Sequence, residues 1–267
     1  MLYLVGTPIG NMGDITLRAL ETLKAVDIVA CEDTRHTGLL LQKLGVRKPL
    51  LSYYKHKEQE GTEEILALLR EGKNVALVSD AGMPVISDPG GVLVEAARRE
   101  GLAVTVVPGA TAVTSAMALA GQSGGFVFVG FLSDKNKERD RQIVQYVTSP
   151  NPLVLYVAAH DVADTMAYLR DKLGDRGVYV VKELTKIHET VIRTTLGAEV
   201  DFDTHGEFVF IVDGKEESAA TELSAEEHVR RYIAMGMSKK DAIKAVAKER
   251  GVPKDEIYKA ALDIDEA

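Results

Sequence analysis

Residues 78–90 read "VSDAGMPVISDPG", and the reading of that stretch decides the fold. It grows out of a strand-like run, "NVALVS" at 74–79, and leads into a helical period, "GVLVEAARREG" at 91–101. A strand-to-helix connection usually takes 2–6 residues, and one Gly or Asp suffices to turn it. Two Asp, two Pro and two Gly within thirteen positions instead commit the backbone to a fixed shape around something.

Outward from this loop the first half alternates strand and helix patterns. "LYLV", "VDIVAC", "KPLLSY", "NVALVS" and "LAVTVVP" are short apolar runs, separated by amphipathic periods such as "ITLRALETLKA" and "GTEEILALLREG". Continuous apolar strands between amphipathic helices predict a parallel sheet covered on both faces. Ligand loops in such sheets lie at the carboxyl ends of the strands. The four most unusual loops, "GTPIGN", "EDTRHT", "SDAGMPVISDPG" and "PGATA", all fall there. "GTPIGN" lacks the pattern of a dinucleotide fingerprint and the Lys-Ser/Thr of a P-loop, and Pro8 removes a backbone donor, so a nucleoside triphosphate is not expected.

Past "GQSGG" at 121–125 the pattern changes. "FVFVGFLS", "NPLVLYV", "GVYVVKEL", "HETVIRTTLG" and "GEFVFIVDG" predict strands, with helices at "KNKERDRQIVQYV" and around 161–173, so the second half is α+β with antiparallel pairing. The polar stretch 215–224 reads as a linker, and two or three short helices follow. Ser238 with Asp241 predicts a helix start, as does Pro253. The expected division is 1–121, 122–214 and 215–267.

Composition bounds the function classes. At 46% hydrophobic and 27% charged residues the chain is an ordinary soluble globular protein. The single cysteine, Cys31, excludes a disulfide framework and a multi-cysteine metal site, and its strand context predicts burial. No apolar run of about 18 residues occurs and the opening is too short for a signal peptide, so no membrane and a cytoplasmic location are expected. Net charge of −8 argues against a general nucleic-acid coat. From His228 to Ala260, however, nine Lys/Arg stand against four Asp/Glu, a local reversal that hints at an anionic partner.

"EDTRHT" places Glu32, Asp33, Arg35 and His36 at a strand end. One reading is a helix N-terminus with favourable acids; the other is a base beside an orienting Arg. Asp80 and Asp88 are too few for a metal site, and no metal is expected. Asp88 with Pro89 predicts the cap and first residue of the next helix, which leaves Asp80 as the better ligand contact.

Together these loops resemble those of the tetrapyrrole methylase superfamily, whose members use S-adenosylmethionine. The resemblance rests on "TPIGN" at 7–11, "EDTRHTGLLLQ" at 32–42, "SDAGMPVISDPG" at 79–90, "PGATA" at 108–112, "GFL" at 130–132 and "ELTK" at 183–186. It is closest to the branch that methylates a cytidine ribose 2′-oxygen of 16S ribosomal RNA, and it runs from Leu2 to about Gly214. It implies an α/β fold of two domains, a mostly parallel N-terminal sheet and a mixed second domain, with the cofactor in the cleft between them and a small helical tail. It also implies a homodimer acting on the small ribosomal subunit or its rRNA. The cofactor residues it implies are Pro8, Gly10, Asp80, Gly82, Met83, Pro84, Ile86, Thr111, Ala112, Val157 and Ala158. Glu32 or Asp33 would take or orient the hydroxyl proton, and Arg35 would meet the neighbouring phosphate. Lys135, Lys137, Arg139 and Arg141 form a candidate RNA strip, with the basic tail as another.

Two departures stand out. Met83 replaces the usual Thr, and "YVAAHD" at 156–161 replaces Tyr-Glu-Ser-x-His-Arg, keeping Tyr156 and His160. A same-fold methyltransferase of a tetrapyrrole or other small molecule, and a non-catalytic assembly factor that retains the cofactor, stay open as alternatives.

Overall fold

The structure, a computed structural model, describes residues 1–199, 205–215, 223–234, 237–262 and 264. It forms two compact units, Met1–Gly214 and Lys215–Ala267. Of the polar stretch 215–224, residues 216–222 lie outside the described residues.

The first unit begins with a five-stranded sheet made of β1 (Leu2–Val5), β2 (Ile28–Cys31), β3 (Leu50–Ser52), β4 (Val75–Leu77) and β5 (Val104–Val107). Its order is β3-β2-β4-β1-β5 and every pairing is parallel. The strands read as unbroken apolar runs because both faces are covered. On one face Val5, Val29, Cys31 and Ala76 meet Ala19 and Leu23 of α1 (Leu17–Ala25) and Leu41 of α2 (Thr34–Lys43). On the other, Leu2, Ala30, Val75 and Leu77 meet Ile65, Leu66 and Leu69 of α3 (Glu58–Arg70) and Leu93 and Ala97 of α4 (Gly91–Arg99). Each buried Val, Leu or Ile among these contributes about 1.5–3 kcal/mol.

α5 (Ala112–Leu119) follows β5 but serves a different core. Its Val113, Ala116 and Met117 pack with Ile9 against Val154, Val181, Val209 and Ile211 of the second sheet. That sheet contains β6 (Val127–Phe131), β7 (Leu153–Ala158), β8 (Gly177–Lys182), β9 (Thr190–Thr195) and β10 (Glu207–Val212), in the order β6-β7-β10-β8-β9. β6 and β7 are parallel and the other pairs antiparallel. Ile143 of α6 (Asn136–Val144) and Met166 and Leu169 of α7 (Val162–Leu173) cover its far face.

The second unit holds α8 (Ala225–Ala234), α9 (Lys239–Arg250) and α10 (Lys254–Ala260) around Val229, Ile243, Val246 and Ile257. Ser238 caps α9 by accepting from the Asp241 N–H at 3.2 Å, and Pro253 is the N-cap of α10. Buried His228 accepts from Arg250 Nε at 3.1 Å through Nδ1. No helix among the described residues is long and apolar enough to cross a membrane.

Candidate active site

β1 and β4 lie side by side, yet the chain leaves them in opposite directions: β1 connects across β4 to β2, and β4 connects across β1 to β5. Open α/β sheets bind ligands at such a switch point, outside the carboxyl ends of the strands. Here three loops interlock. Thr7 N–H donates to Gly82 O at 2.9 Å, and the Thr7 hydroxyl donates to Ser79 O at 3.2 Å and Gly82 O at 3.3 Å. The Ser79 hydroxyl donates to the same Gly82 carbonyl at 3.2 Å. A Cβ on Gly6 would lie 2.7 Å from the Cα and N of Gly109 and 2.7 Å from Met83 Sδ, so the loops after β1 and β5 touch backbone to backbone, with Met83 packed into the junction.

The loop of residues 78–90 is held in a costly conformation. Gly82 takes φ +82°, and Val85 and Ser87, which carry side chains, take φ +77° and +69°. Non-glycine residues in this region cost about 1–3 kcal/mol each and cluster at ligand sites. Pro84 is buried, whereas Ile86 stands 52% exposed. Asp80 Oδ1 is buried with no hydrogen-bond partner, an acceptor left for a donor from outside the chain.

Asp88 departs from the sequence reading. The N-cap of α4 is Gly90, at φ +133° and with no side-chain cap, so Asp88 does not cap that helix and Pro89 is not its first residue. The Gly90 N–H is taken by Glu58 Oε1 of α3 at 2.9 Å. Asp88 turns inward instead, and burial first, then the charges of Glu32 and Asp80, push its carboxyl up to about 6, with the Ser79 hydroxyl opposing. Across from it, burial and then the Asp88 charge raise the Tyr156 phenol to about 12.

At the end of β2, Asp33 is the N-cap of α2, accepting from the N–H groups of Arg35 at 2.8 Å and His36 at 3.4 Å. Arg35 folds back on it through Nε at 3.2 Å and Nη2 at 2.9 Å. These bonds hold the Asp33 carboxyl down at about 2. Arg35 is 91% exposed and Glu32 is exposed beside it. Cys31 is fully buried, its thiol pushed up by desolvation.

The second sheet closes on the first loop. A Cβ on Gly10 would lie 2.6 Å from Lys186 Cγ and 2.8 Å from Thr185 Oγ1. Lys186 Nζ bridges Glu183 Oε1 at 2.8 Å and Glu207 Oε2 at 2.9 Å, and Glu183 also accepts from the Glu207 N–H at 2.9 Å. Thr111 caps α5 by accepting from Thr114 N–H at 3.3 Å, which leaves Ala112 as the first helical residue. Val157 points into the core under α6 and α7, so it can offer a ligand its backbone only. β6 pairs with β7 no further than Phe131–Tyr156, and Val157 and Ala158 lie past that ladder's end.

The basic strip divides. Arg139 lies over the Tyr168 ring at 4.1 Å from its centroid, and Lys135 Nζ pairs with Glu138 Oε1 at 3.4 Å. Lys137 and Arg141 are exposed, one turn apart on α6. Among the described residues no group of three or more His, Cys, Asp or Glu could hold a metal ion. Thr7, Ser79 and Tyr156 line the candidate site although sequence reasoning gave them no role, and Asp88 had only the capping role corrected above; the small hydroxyl residues at the ends of "GT" and "VS", where strand gives way to loop, were the available signal for the first two.

A loop cradle at the switch point of a parallel sheet, closed by a second mixed sheet, is the arrangement of one methyltransferase class. The model described as "Tetrapyrrole (Corrin/Porphyrin) Methylases" matches residues 1–199, and the chain belongs to that family. Within it, the chain is 40% identical over 274 residues to the ribosomal RNA small subunit methyltransferase I of Synechocystis sp., covering 99% of this chain and 98% of that protein. It is 42% identical over 268 residues to the protein of the same name from Halalkalibacterium halodurans, covering 96% and 93%. A solved structure of uroporphyrin-III C-methyltransferase from Thermus thermophilus, complexed with S-adenyl homocysteine, matches with a TM-score of 0.55 at 21% identity, over 80% of this chain and 97% of that one. Identity that low establishes the shared fold alone.

Proposed function

We propose that the protein is an S-adenosylmethionine-dependent methyltransferase that modifies a cytidine ribose 2′-hydroxyl in 16S rRNA of the small ribosomal subunit, in the cytoplasm and as a homodimer. The interlocked cradle around Gly82, with the unpaired buried Asp80 oxygen beside it, is the observation that carries the reading. It fits the cofactor: an acceptor lacking a donor suits a hydroxyl- and ammonium-bearing nucleoside, and backbone brought close at Gly82 suits a bent ligand lying against it. Names shared with relatives of about 40% identity along nearly the whole chain support the choice of substrate.

S-adenosylmethionine supplies a methyl group already activated by its sulfonium. Pro8, Gly10, Asp80, Gly82, Met83, Pro84, Ile86, Thr111 and Ala112, with Val157 and Ala158 from the second sheet, would hold it. What remains for the chain is alignment of a poor nucleophile and removal of its proton. A carboxyl at about 2 is a weak base near neutrality, so Asp33 acts by orientation: it fixes Arg35, whose Nη1–Nη2 edge stays open to a phosphate. Glu32, exposed at the same strand end, takes or directs the hydroxyl proton. Lys137 and Arg141 meet the RNA backbone, with Lys135 and Arg139 holding their helix.

The test is methyl transfer from labelled S-adenosylmethionine to unmodified small subunits, followed by alkaline hydrolysis. Label in an alkali-resistant dinucleotide is expected, because a methylated 2′-oxygen cannot attack its phosphate. Label in mononucleotides would place the methyl on a base and refute the assignment.

A further inference from the structure

β6 contains a bulge that re-aims one aromatic ring. Its pairing with β7 runs Val127–Leu153 and Phe128–Val154, then resumes at Gly130–Leu155 and Phe131–Tyr156, leaving Val129 as the extra residue. Strict alternation would send Phe131 to the helix-covered face, where Val127, Val129 and Leu132 pack. The bulge, with Gly130 at φ +76°, turns it to the face that Phe128 and Tyr156 share with α5. There Phe131 meets the Tyr156 ring at 5.3 Å between centroids, while Phe128 meets the same ring edge-on at 5.1 Å.

Despite these contacts Phe131 stays 57% exposed. It also stands beside the cradle. A Cβ on Gly130 would lie 2.9 Å from Ser87 Oγ, in the loop that carries Asp88, and the Asp88 charge reaches Tyr156. Gln142 of α6 pins the turn that follows, donating to Phe131 O at 3.1 Å and accepting from Ser133 N–H at 2.8 Å. After Leu132, which packs on the helix-covered face, the residues are polar: Ser133, Asp134, Lys135, Asn136 and Lys137. A single ring set among polar groups of both signs, with exposed Lys137 and Arg141 on the helix that follows, suits one nucleobase with its phosphates and does not form the broad apolar patch of a protein contact.

We propose that Phe131 is the platform on which the base of the target nucleotide stacks, with Tyr156 fixing the ring and Lys137 and Arg141 taking the flanking phosphates. This rests on the RNA methyltransferase reading and assigns its substrate a place on the second sheet. The bulge exists, on this view, to bring an aromatic face from the core to the mouth of the cradle.

Steady-state methyl transfer to unmodified small subunits tests it with Phe131→Ala and Phe131→Tyr. Loss of a base–aromatic stack should raise KM for subunits about tenfold or more in the Ala variant, leave S-adenosylmethionine binding unchanged while lost packing on Tyr156 lowers the melting temperature by only a few degrees, and be rescued by Tyr. Because the chain has no Trp, Phe131→Trp adds a lone reporter whose emission a bound cytidine-containing RNA oligonucleotide should quench. A KM within twofold of the unaltered protein, or unquenched emission while a gel shift shows the oligonucleotide bound, overturns the platform. So does an Ala variant that sediments at half the native mass, which would assign the ring to a contact between copies. An unaltered protein that transfers nothing to subunits refutes the RNA reading, and the platform with it.

Discussion

Replacing Asp88 by Asn should make the protein more stable at neutral pH, and only there. In the folded chain this carboxyl titrates at about 6 in place of its ordinary 3.8. Between those values the native state holds a proton that the unfolded chain has released, so stability falls as pH rises from about 4 to about 6. The displacement corresponds to about 3 kcal/mol at 1.36 kcal/mol per unit. Asp88 is only half-buried, and solvent screening reduces this to about 1–2 kcal/mol. The groups that face it, Glu32, Asp80, Ser79 and Tyr156, keep their identity in the variant, so the only ionisable group removed is the Asp88 carboxyl. Urea unfolding of both proteins at pH 4, 5, 6 and 7.5 should give a stability difference that grows by about 1–2 kcal/mol in favour of Asn and then levels off. A difference that stays constant across that range would refute the placement of Asp88 among the carboxylates. The same variant should lose methyl transfer if the stored repulsion serves the site, in keeping with the usual opposition of stability and activity at strained sites.

Other consequences are direct. Asp33→Asn should slow methyl transfer far more than it weakens S-adenosylmethionine binding by calorimetry, because it frees Arg35; equal losses would refute the role. Gly6→Ala should prevent soluble folding or destabilise by more than about 2 kcal/mol, since its Cβ would meet Gly109 backbone at 2.7 Å that cannot yield; chemical denaturation decides. Lys186→Met leaves Glu183 and Glu207 without their shared cation and should lower the unfolding free energy by about 1 kcal/mol, an effect that shrinks in high salt. The Cys31 thiol, buried and raised, should resist thiol reagents at pH 8 until the protein unfolds.

The parallel sheet was legible because its strands are buried on both faces and therefore read as continuous apolar runs with ligand loops at one end. What was not legible depends on contacts distant in sequence. Asp-Pro-Gly before a helix is a local cap signature, and nothing near it reveals that Glu58, thirty-two residues away, takes the Gly90 N–H and leaves Asp88 to turn inward. "FVFVGFLS" alternates as any strand does; the bulge appears only when β7 is laid beside it. The charges of "KNKERDR" look alike in sequence, and it takes the position of Tyr168 to show that Arg139 is packed rather than presented. α5 sits in the first half of the chain, and its loyalty to the second sheet is a matter of which face that sheet leaves open.

That loyalty bears on where the chain can be cut. The tract of residues 121–125 between α5 and β6 is largely exposed and rich in glycine, the kind of site a protease nicks first. A cut there severs the covalent path between the two sheets but not the core that α5 shares with Val154, Val181, Val209 and Ile211. The fragments should therefore remain associated and elute together, and separately expressed pieces ending and beginning in this tract should reconstitute one another. The sequence boundary between the halves is thus a seam of the gene more than a seam of the fold.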